Sequence, residues 1–445
     1  MAEEHNPLGT MPITRLVVNM SWPIMLSMLV QAIYNLVDSI YVTRISDTAF
    51  LALSYAYPIQ LLMAAFCVGV GVGFNAVLAQ RLGAKKPKEA NLVVLHGFLL
   101  YALCWLLFFL FSLLACEAYL RFCTGTEDVV WQGTAYLRIC CCFSFGMCIQ
   151  FPCERILQSA GYPVGFMIIQ GSGALLNMIL DPIFIFGFHM GVQGAAVATV
   201  IGQIIGGFVG VFLVRRIRFQ FPITFKGVSF QPKLIREIWD IAAPAILMQS
   251  LSSLMSLGLN SILNLCSETA VWVLGVYFKL QSFVFMPIFS INNALVSIIS
   301  YNYGAKDKAR VFASIRSGLL AALSAGLTGT VLLWMCAAPL LTLCFRAGQA
   351  ALTMGVSALR MTALAFPVAA ISITRSAAFQ SLGYSRYSLL LGLLRNVIFL
   401  LPIALLLVLL SPQWAFFSFF LSETAACLVS WGLFRQVKQR RIDLI

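Results

Sequence analysis

The chain reads as an all-α integral membrane protein of twelve transmembrane helices, arranged as two pseudo-symmetric six-helix lobes. Three observations predict this. Of the 445 residues 60% are apolar and only 10% charged, against roughly 25% charged in a soluble domain. Hydrophobic runs of about 20 residues or more, each able to cross a ~30 Å hydrocarbon core at ~1.5 Å per residue, recur from end to end. The second half of the chain also repeats the first.

With no water to satisfy backbone groups in a bilayer, such runs must be helices. They fall at 14–43, 50–78, 92–116, 128–152, 160–187, 190–214, 238–264, 270–300, 312–336, 349–374, 385–409 and 413–435. Segment 1 carries Gln31, Asn35 and Asp38 at i, i+4 and i+7, one helix face, with Tyr34 beside them. Segment 2 holds Gly69 and Gly73, a G-x-x-x-G suited to close helix packing. Segment 4 carries Tyr136. Segment 5 places Gln170, Asn177 and Asp181 at i, i+7 and i+11, and Pro182 cannot donate a backbone bond, which frees the Met178 carbonyl and bends the helix beside the acid. Segment 6 repeats the i, i+4 pattern with Thr199 and Gln203.

In the second half the Phe- and Met-rich stretches Phe283–Phe289 and Met354–Phe366 could line an adaptable cavity or face lipid. Lys279, Arg360 and Arg395 stand as buried-side cations, though snorkelling near helix ends explains them as readily. Glu423 on segment 12 is the one acid well inside a segment of that half.

The repeat is colinear. Pro23 and Pro244 stand 221 positions apart, and the same offset pairs Leu26 with Leu247, Ala49 with Ala270, Gln60 with Gln281 and Gly83-Ala84-Lys85 with Gly304-Ala305-Lys306. Gln158-Ser159-Ala160-Gly161-Tyr162 matches Gln380-Ser381-Leu382-Gly383-Tyr384 at an offset of 222. Six segments per unit is an even number, so both halves share one orientation, the parallel-repeat design of some secondary transporters. The expected division is an N-terminal lobe 1–214, a basic cytoplasmic linker 215–237 and a C-terminal lobe 238–445.

The net charge of +13 reports topology and needs no nucleic-acid partner. With the amino terminus inside, 22 Lys and Arg lie on the inner side, from Arg15 through the loops, to which Arg155 and Arg375 are assigned, to Arg441, and only Arg44, Arg121 and Arg346 on the outer. By the positive-inside rule both termini are cytoplasmic. The first residues are acidic and the first apolar run is too long for a signal peptide. Of thirteen cysteines, none forms a C-x-x-C; most behave as small hydrophobes, and Cys116 and Cys123 could pair in an outer loop.

Asp38 and Asp181 carry most of the functional information. An ionisable group in the bilayer core costs about 2.5–3.5 kcal/mol on insertion scales, so such groups mark functional sites by default. Counted by helix rise from the segment starts, Asp38 lies about 36 Å and Asp181 about 26 Å along from the inner side, while Thr199 and Tyr136 lie about 9 Å and 12 Å in from the outer side. The first half therefore offers polar groups from four segments at one depth. Carboxylate, amide and hydroxyl oxygens suit either a proton relay or a small hard cation, and two such carboxylates titrate as a coupled unit. The equivalent positions of the second half are Leu259 and Ile403.

Five motifs resemble the multidrug and toxic compound extrusion (MATE) family over nearly the whole chain. They are Tyr34-Asn35-Leu36-Val37-Asp38, Gly83-Ala84-Lys85, Gln158-Ser159-Ala160-Gly161, Asn177-x-x-x-Asp181-Pro182, and Gly191-Val192-Gln193-Gly194-Ala195-Ala196-Val197-Ala198-Thr199. The resemblance implies a V-shaped antiporter that expels amphiphilic, often cationic compounds in exchange for protons or sodium. It also implies that Asp38, Asn177, Asp181 and Thr199 form the cation site of the first lobe, sodium being one candidate occupant. Gln31, Tyr34, Asn35, Tyr136, Gln170, Gln203 and Glu423 are then candidates for substrate contact or a secondary polar network. Some branches add acids on helices 7 and 10; none stands well inside those segments here, so a second cation site of that kind is not expected.

No cofactor is expected, only small organic substrates, the coupling cation and the lipid bilayer as partners. The expected functional unit is a monomer in the plasma membrane, the inner membrane in a Gram-negative source. A flippase for lipid-linked or polysaccharide precursors is the nearest alternative, but no cluster of arginines stands within the segments to receive a pyrophosphate. An intramembrane enzyme finds no H-E-x-x-H among the three histidines (His5, His96, His189). A channel would need a ring of filter groups, whereas the acids sit in one lobe.

Overall fold

The computed structural model describes residues 6–444 except 44, 217–223, 225–229, 265–266 and 346–347. Arg44, Arg218, Pro222, Lys226 and Arg346, and so most of the expected linker, lie outside the described residues. The first half contains α1 (Ile13–Thr43), α2 (Asp47–Gly83), α3 (Pro87–Leu114), α4 (Glu127–Cys142), α5 (Phe145–Ser159), α6 (Pro163–Pro182) and α7 (Val192–Arg216). The second contains α8 (Pro232–Asn264), α9 (Glu268–Gly304), α10 (Lys308–Pro339), α11 (Gln349–Ala363), α12 (Ala365–Ser381), α13 (Ser385–Leu393), α14 (Leu400–Val408) and α15 (Ser418–Val437).

Among the described residues eleven helical stretches are long and apolar enough to cross a membrane, and α4 with α5, bent by 46°, makes a twelfth. The surface is apolar, unlike that of a soluble protein, and a largely apolar core encloses a minority of polar groups. Leu114, Phe208, Leu257, Trp131, Met335 and Leu428 are exposed, whereas Asp181, Glu154 and Asn177 are buried. Lipid-facing apolar surface around a polar-containing interior is what a bilayer solvent selects. The chain is a multi-pass membrane protein.

The repeat reaches down to capping geometry. The α2 and α9 helices are each 37 residues long, and their first and last residues stand 221 positions apart. Ser46 Oγ accepts from the Ala49 N–H at 3.0 Å and Ser267 Oγ from the Ala270 N–H at 3.3 Å, the same N-cap in each half. Each helix ends alike. The Lys85 N–H donates to the Leu82 carbonyl and the Lys86 N–H to the Arg81 carbonyl, both at 3.1 Å, and Lys306 and Asp307 repeat this at 3.1 and 3.0 Å. These are Schellman caps with lysine in place of glycine: Lys85 has φ 55° and Lys306 φ 58°. Gly161 (φ 83°) and Gly383 (φ 81°) turn the chain in the second matched loop, where a left-handed backbone favours glycine.

The helices pack as two compact units. Pro23–Ile246 belongs to the first, and Leu247–Ile445 with Met11–Trp22 to the second. The α1 helix therefore passes between units at Pro23, and α8 passes between them after Ile246, two residues beyond Pro244. Within the first unit Gly69 and Gly73 seat α2 on the start of α8. A Cβ on Gly69 would lie 2.7 Å from the Ile246 backbone nitrogen, and one on Gly73 would meet the Ile238 carbonyl oxygen. The G-x-x-x-G is a packing device, as its spacing predicts.

Three expectations are corrected. Segment 4, read as one run over 128–152, is two helices broken at Phe143–Ser144 and continues to Ser159. Side chains cover the carbonyls loosened at the break: Trp105 Nε1 donates to the Cys142 carbonyl at 3.0 Å and Ser144 Oγ to that of Cys141 at 2.7 Å. Arg155 and Arg375, assigned to inner loops, are instead buried on α5 and α12. Cys116 and Cys123 are free and stand at opposite ends of one short helix, Cys116–Cys123. Seven steps of about 1.5 Å separate their Cα atoms by roughly 10 Å, beyond the ~7 Å limit for a disulfide.

Candidate cation site

All four residues of the expected cation site lie in the first unit, on α1, α6 and α7. The α6 helix places Asn177 and Asp181 one turn apart. Helical hydrogen bonding stops at Pro182, after which the backbone continues as a π-helix over Ile183–Gly187. Wider turns of that kind are found frequently at functional sites. A Cβ on Gly194 of α7 would come within 2.8–2.9 Å of the Phe184–Ile185 backbone. That close approach sets the start of α7 against the turn following Asp181. Farther along, Gly202 and Gly173 face each other so closely that a Cβ on either would lie within 2.9 Å of the other's carbonyl oxygen. Glycine is required at both positions to bring Thr199 beside Asn177.

The polar contacts follow from that approach. Asn177 Nδ2 donates to Thr199 Oγ1 at 3.1 Å, and the Tyr34 hydroxyl shares the same Oγ1 at 3.4 Å. Asp38 stands one helical turn beyond Tyr34 on α1, and its charge and that of Asp181 both act on the Tyr34 phenol and on each other. Asp181 is completely buried and Asn177 is 2% exposed. Asp38 Oδ1, Asn177 Oδ1 and both carboxylate oxygens of Asp181 are buried with no hydrogen-bond partner among the described residues. These four acceptor oxygens without donors, on three helices of one unit, have the chemistry that positive charge would satisfy. Buried polar groups are otherwise almost always paired.

The remaining expected residues divide. Tyr136 is buried on α4 and accepts a 2.7 Å hydrogen bond from Gln60 Nε2 on α2, with the Asp38 charge acting on its phenol. Gln31 Nε2 donates to Asn35 Oδ1 at 3.4 Å along α1, and the exposure of Asn35 takes this pair out of the buried cluster. Gln170 and Gln203 are half-buried; Gln170 stands two turns from the cluster along α6, and Gln203 one turn along α7. Glu423 lies in the second unit, where Arg395 Nη2 meets its Oε1 at 2.7 Å. Arg395 belongs to a π-helix, Leu394–Ile398, and of the two roles open to it, buried cation or snorkelling side chain, its pairing with Glu423 is the first.

One acid was missed. Glu154 on α5 is wholly buried. Its Oε1 accepts from Gln150 Nε2 at 2.8 Å and its Oε2 has no partner among the described residues. The adjoining Arg155 donates from Nη1 to Gln158 Oε1 at 2.8 Å and lies over the Phe166 ring at 5.6 Å, so it does not pair with Glu154. The signal was an acid two residues past the assumed end of segment 4, hidden by that misplaced boundary.

Comparison with known proteins agrees with this architecture. The MatE family model matches residues 23–183 and again 244–406, two matches 221 positions apart like the prolines that open them. Multidrug export protein MepA of Staphylococcus aureus (strain NCTC 8325 / PS 47) is 23% identical over 428 residues, covering 94% of this chain and 93% of that protein. MepA of Staphylococcus saprophyticus is 27% identical over 300 residues, where the match spans 66% of this chain and 65% of the relative's length. An FAD transporter of Shewanella oneidensis is 26% identical over 329 residues, with 70% of this chain and 69% of that protein covered.

Among solved structures, an outward-facing multidrug resistance MATE family transporter of the MOP superfamily superimposes with a TM-score of 0.90 at 23% identity, covering 98% of each chain. A MATE structure in the straight conformation does so at 0.91 and 23%, covering 99% of this chain and 100% of that one. These structures share the fold, and the family model, matched once in each half of a twelve-span duplicated chain, settles its kinship: the protein is a member of the MatE family.

Proposed function

We propose that the protein is an efflux antiporter that exports amphiphilic, often cationic organic compounds in exchange for protons or sodium ions. Four unpartnered oxygens of Asp38, Asn177 and Asp181, buried in one unit where Asn177 also bonds the Thr199 hydroxyl, carry this reading. A carboxylate pair enclosed by apolar helices is stable only when it takes up positive charge. That charge is either protons on the acids or one small hard cation held by carboxylate, amide and hydroxyl oxygens. When the site empties, its oxygens need hydration or a new helix arrangement, and this ties ion occupancy to conformation.

The names of the relatives, multidrug export protein and FAD transporter, support small organic molecules as the exported class. On the same reading the protein works as a monomer in the plasma membrane, with both termini cytoplasmic. Its lobes are residues 1–214 and 238–445, joined by 215–237. The asymmetry of Lys and Arg across the spans supports that orientation.

The test is transport by the purified chain in proteoliposomes, with a proton gradient and a sodium gradient imposed separately. The expected result is uphill movement of a fluorescent organic cation driven by one of the two. Movement driven by neither overturns the reading.

A further inference from the structure

The two units bury their acids differently. In the first, no cationic side chain acts on Asp38 or Asp181 among the described residues. In the second, Arg395 Nη2 meets Glu423 Oε1 at 2.7 Å, and Arg395 is the only charged group there that acts on this buried carboxylate.

The repeat shows what each unit has in place of these charges. The α6 and α13 helices begin 222 positions apart, which sets Arg395 at the position of Gly173. An offset of 220 pairs Gln193 with Gln413, Ala195 with Ala415 and Arg215 with Arg435, which sets Glu423 at that of Gln203. Glycine has no side chain and glutamine no charge. The first unit therefore lacks a built-in cation where the second supplies one.

Glu423 otherwise has the chemistry of an ion site. Its Oε2 is buried with no hydrogen-bond partner among the described residues. The Ser372 hydroxyl of α12 stands beside the carboxylate, and the Tyr277 phenol of α9 lies in the field of both Glu423 and Arg395. Carboxylate and hydroxyl oxygens suit a proton or a small hard cation. The difference is that the positive charge is already present, on a guanidinium that stays charged and tethered.

We propose that Arg395 is a built-in counter-ion: it does permanently for Glu423 what the coupling ion does in turn for Asp38 and Asp181, and so confines ion exchange to the first unit. This rests on the reading of that pair as the ion site. Taking the guanidinium away leaves a buried carboxylate without positive charge, the state that is costly enough to recruit a free ion. Arg395 thus sets where ions bind, a role distinct from holding helices together.

The test is thermal unfolding of the purified full-length protein in detergent. Sodium is raised at fixed pH and ionic strength, and protons at fixed sodium. A ligand that binds only the folded state raises Tm with its concentration. Asp38→Asn combined with Asp181→Asn silences the first site, and its comparison with wild type reads that site alone. In this background Glu423→Gln should leave the response to either ion unchanged. Arg395→Met should start lower and gain roughly 1–2 °C for each tenfold rise of sodium or protons above half-saturation. Adding Glu423→Gln should remove that gain. Where Arg395→Met yields no folded protein, Arg395→Gln, which keeps an N–H for Oε1, carries the same comparison.

Arg395→Met that responds no more than the background overturns the proposal, as does a gain that survives Glu423→Gln. A background response that Glu423→Gln removes overturns it too, since Glu423 would then bind an ion beside Arg395. Full wild-type response in the Asp38→Asn/Asp181→Asn protein is a separate failure. It removes the first-unit reading, while the difference made by Glu423→Gln still decides the role of Arg395.

Discussion

Asn177 donates its side-chain N–H to Thr199 across 3.1 Å and keeps its carbonyl oxygen unpartnered beside an equally unpartnered Asp181. The amide is thereby oriented: its donor end is occupied, and its acceptor end is presented together with carboxylate oxygens. Positive charge is the missing component. Asp38→Asn and Asp181→Asn should each abolish ion-coupled efflux while leaving expression and membrane insertion near wild type, because the amide is isosteric and cheaper to bury than a charge. Leu259→Ala, at the repeat-equivalent position of Asp38, trims a buried side chain of the second unit and should leave coupling intact. The check is substrate efflux from cells and proteoliposomes at matched protein levels. Wild-type efflux by both Asp variants would remove the central role given to the pair.

Much of this was legible in the sequence because a bilayer imposes simple rules. Segment number, the duplication and the packing role of Gly69 and Gly73 follow from hydropathy, offset and small-residue spacing. The position of each polar residue along its own helix also follows, since helix rise is fixed. Azimuth does not. That Thr199 meets Asn177 depends on Gly202 and Gly173 letting two backbones touch, a tertiary fact that periodicity does not carry. Glu154 was missed and Arg155 misplaced because a polar stretch at a helix end reads as loop by composition. Here α5 continues through it, burying Glu154 against Gln150. The Arg395–Glu423 pair was missed because residues far apart in sequence, on different helices, share no local signal.

The Glu154 environment separates a hydrogen-bonding role from an electrostatic one. Glu154→Gln keeps an acceptor for Gln150 Nε2, so it should retain near wild-type thermal stability in detergent. Glu154→Leu strands that donor in a buried site, which costs about 1–3 kcal/mol, and should lower Tm clearly below that of Glu154→Gln. Equal stability of the two variants would show that the Gln150 contact contributes nothing.

The Arg395–Glu423 pair is half of a testable cycle. Removing one partner leaves the other charge buried without its counter-ion, at about 3–5 kcal/mol, whereas removing both is far milder. Arg395→Met and Glu423→Leu should therefore each destabilise the protein strongly, and the double variant should recover most of the loss. Additive destabilisation, measured by thermal unfolding in one detergent, would mean that the 2.7 Å contact does not couple the two side chains.

The glycine seat between α2 and α8 makes a sharper structural claim. A side chain on Gly73 would strike the Ile238 carbonyl and lie 3.0 Å from the Ala242 nitrogen. Neither group is the tip of a flexible side chain, so the helices must separate. Gly73→Val should destabilise by roughly 1–3 kcal/mol, the range for overpacking, and reduce the yield of monodisperse protein. Gly275, which has open space around its Cβ position, supplies the control: Gly275→Ala should be neutral. A tolerated Gly73→Val would show that α2 and α8 are not seated as described.

Order of coupling follows from linkage. If ion and drug compete through conformation, filling the Asp38–Asp181 site must favour the arrangement that holds substrate poorly. Each ligand then weakens the other by the same factor, since coupling free energy is reciprocal. A typical coupling of 1–3 kcal/mol corresponds to about 5–150-fold. Binding of a fluorescent organic cation to the purified protein should weaken over that range as the coupling ion rises. For a sodium-coupled protein the loss should persist at fixed pH; for a proton-coupled one it should persist at fixed sodium. Asp38→Asn removes one of the two charges that the ion neutralises, so in that variant the dependence should vanish while drug binding itself remains. Substrate affinity indifferent to both ions in the wild type would leave the buried oxygens of Asp38, Asn177 and Asp181 without a part in export.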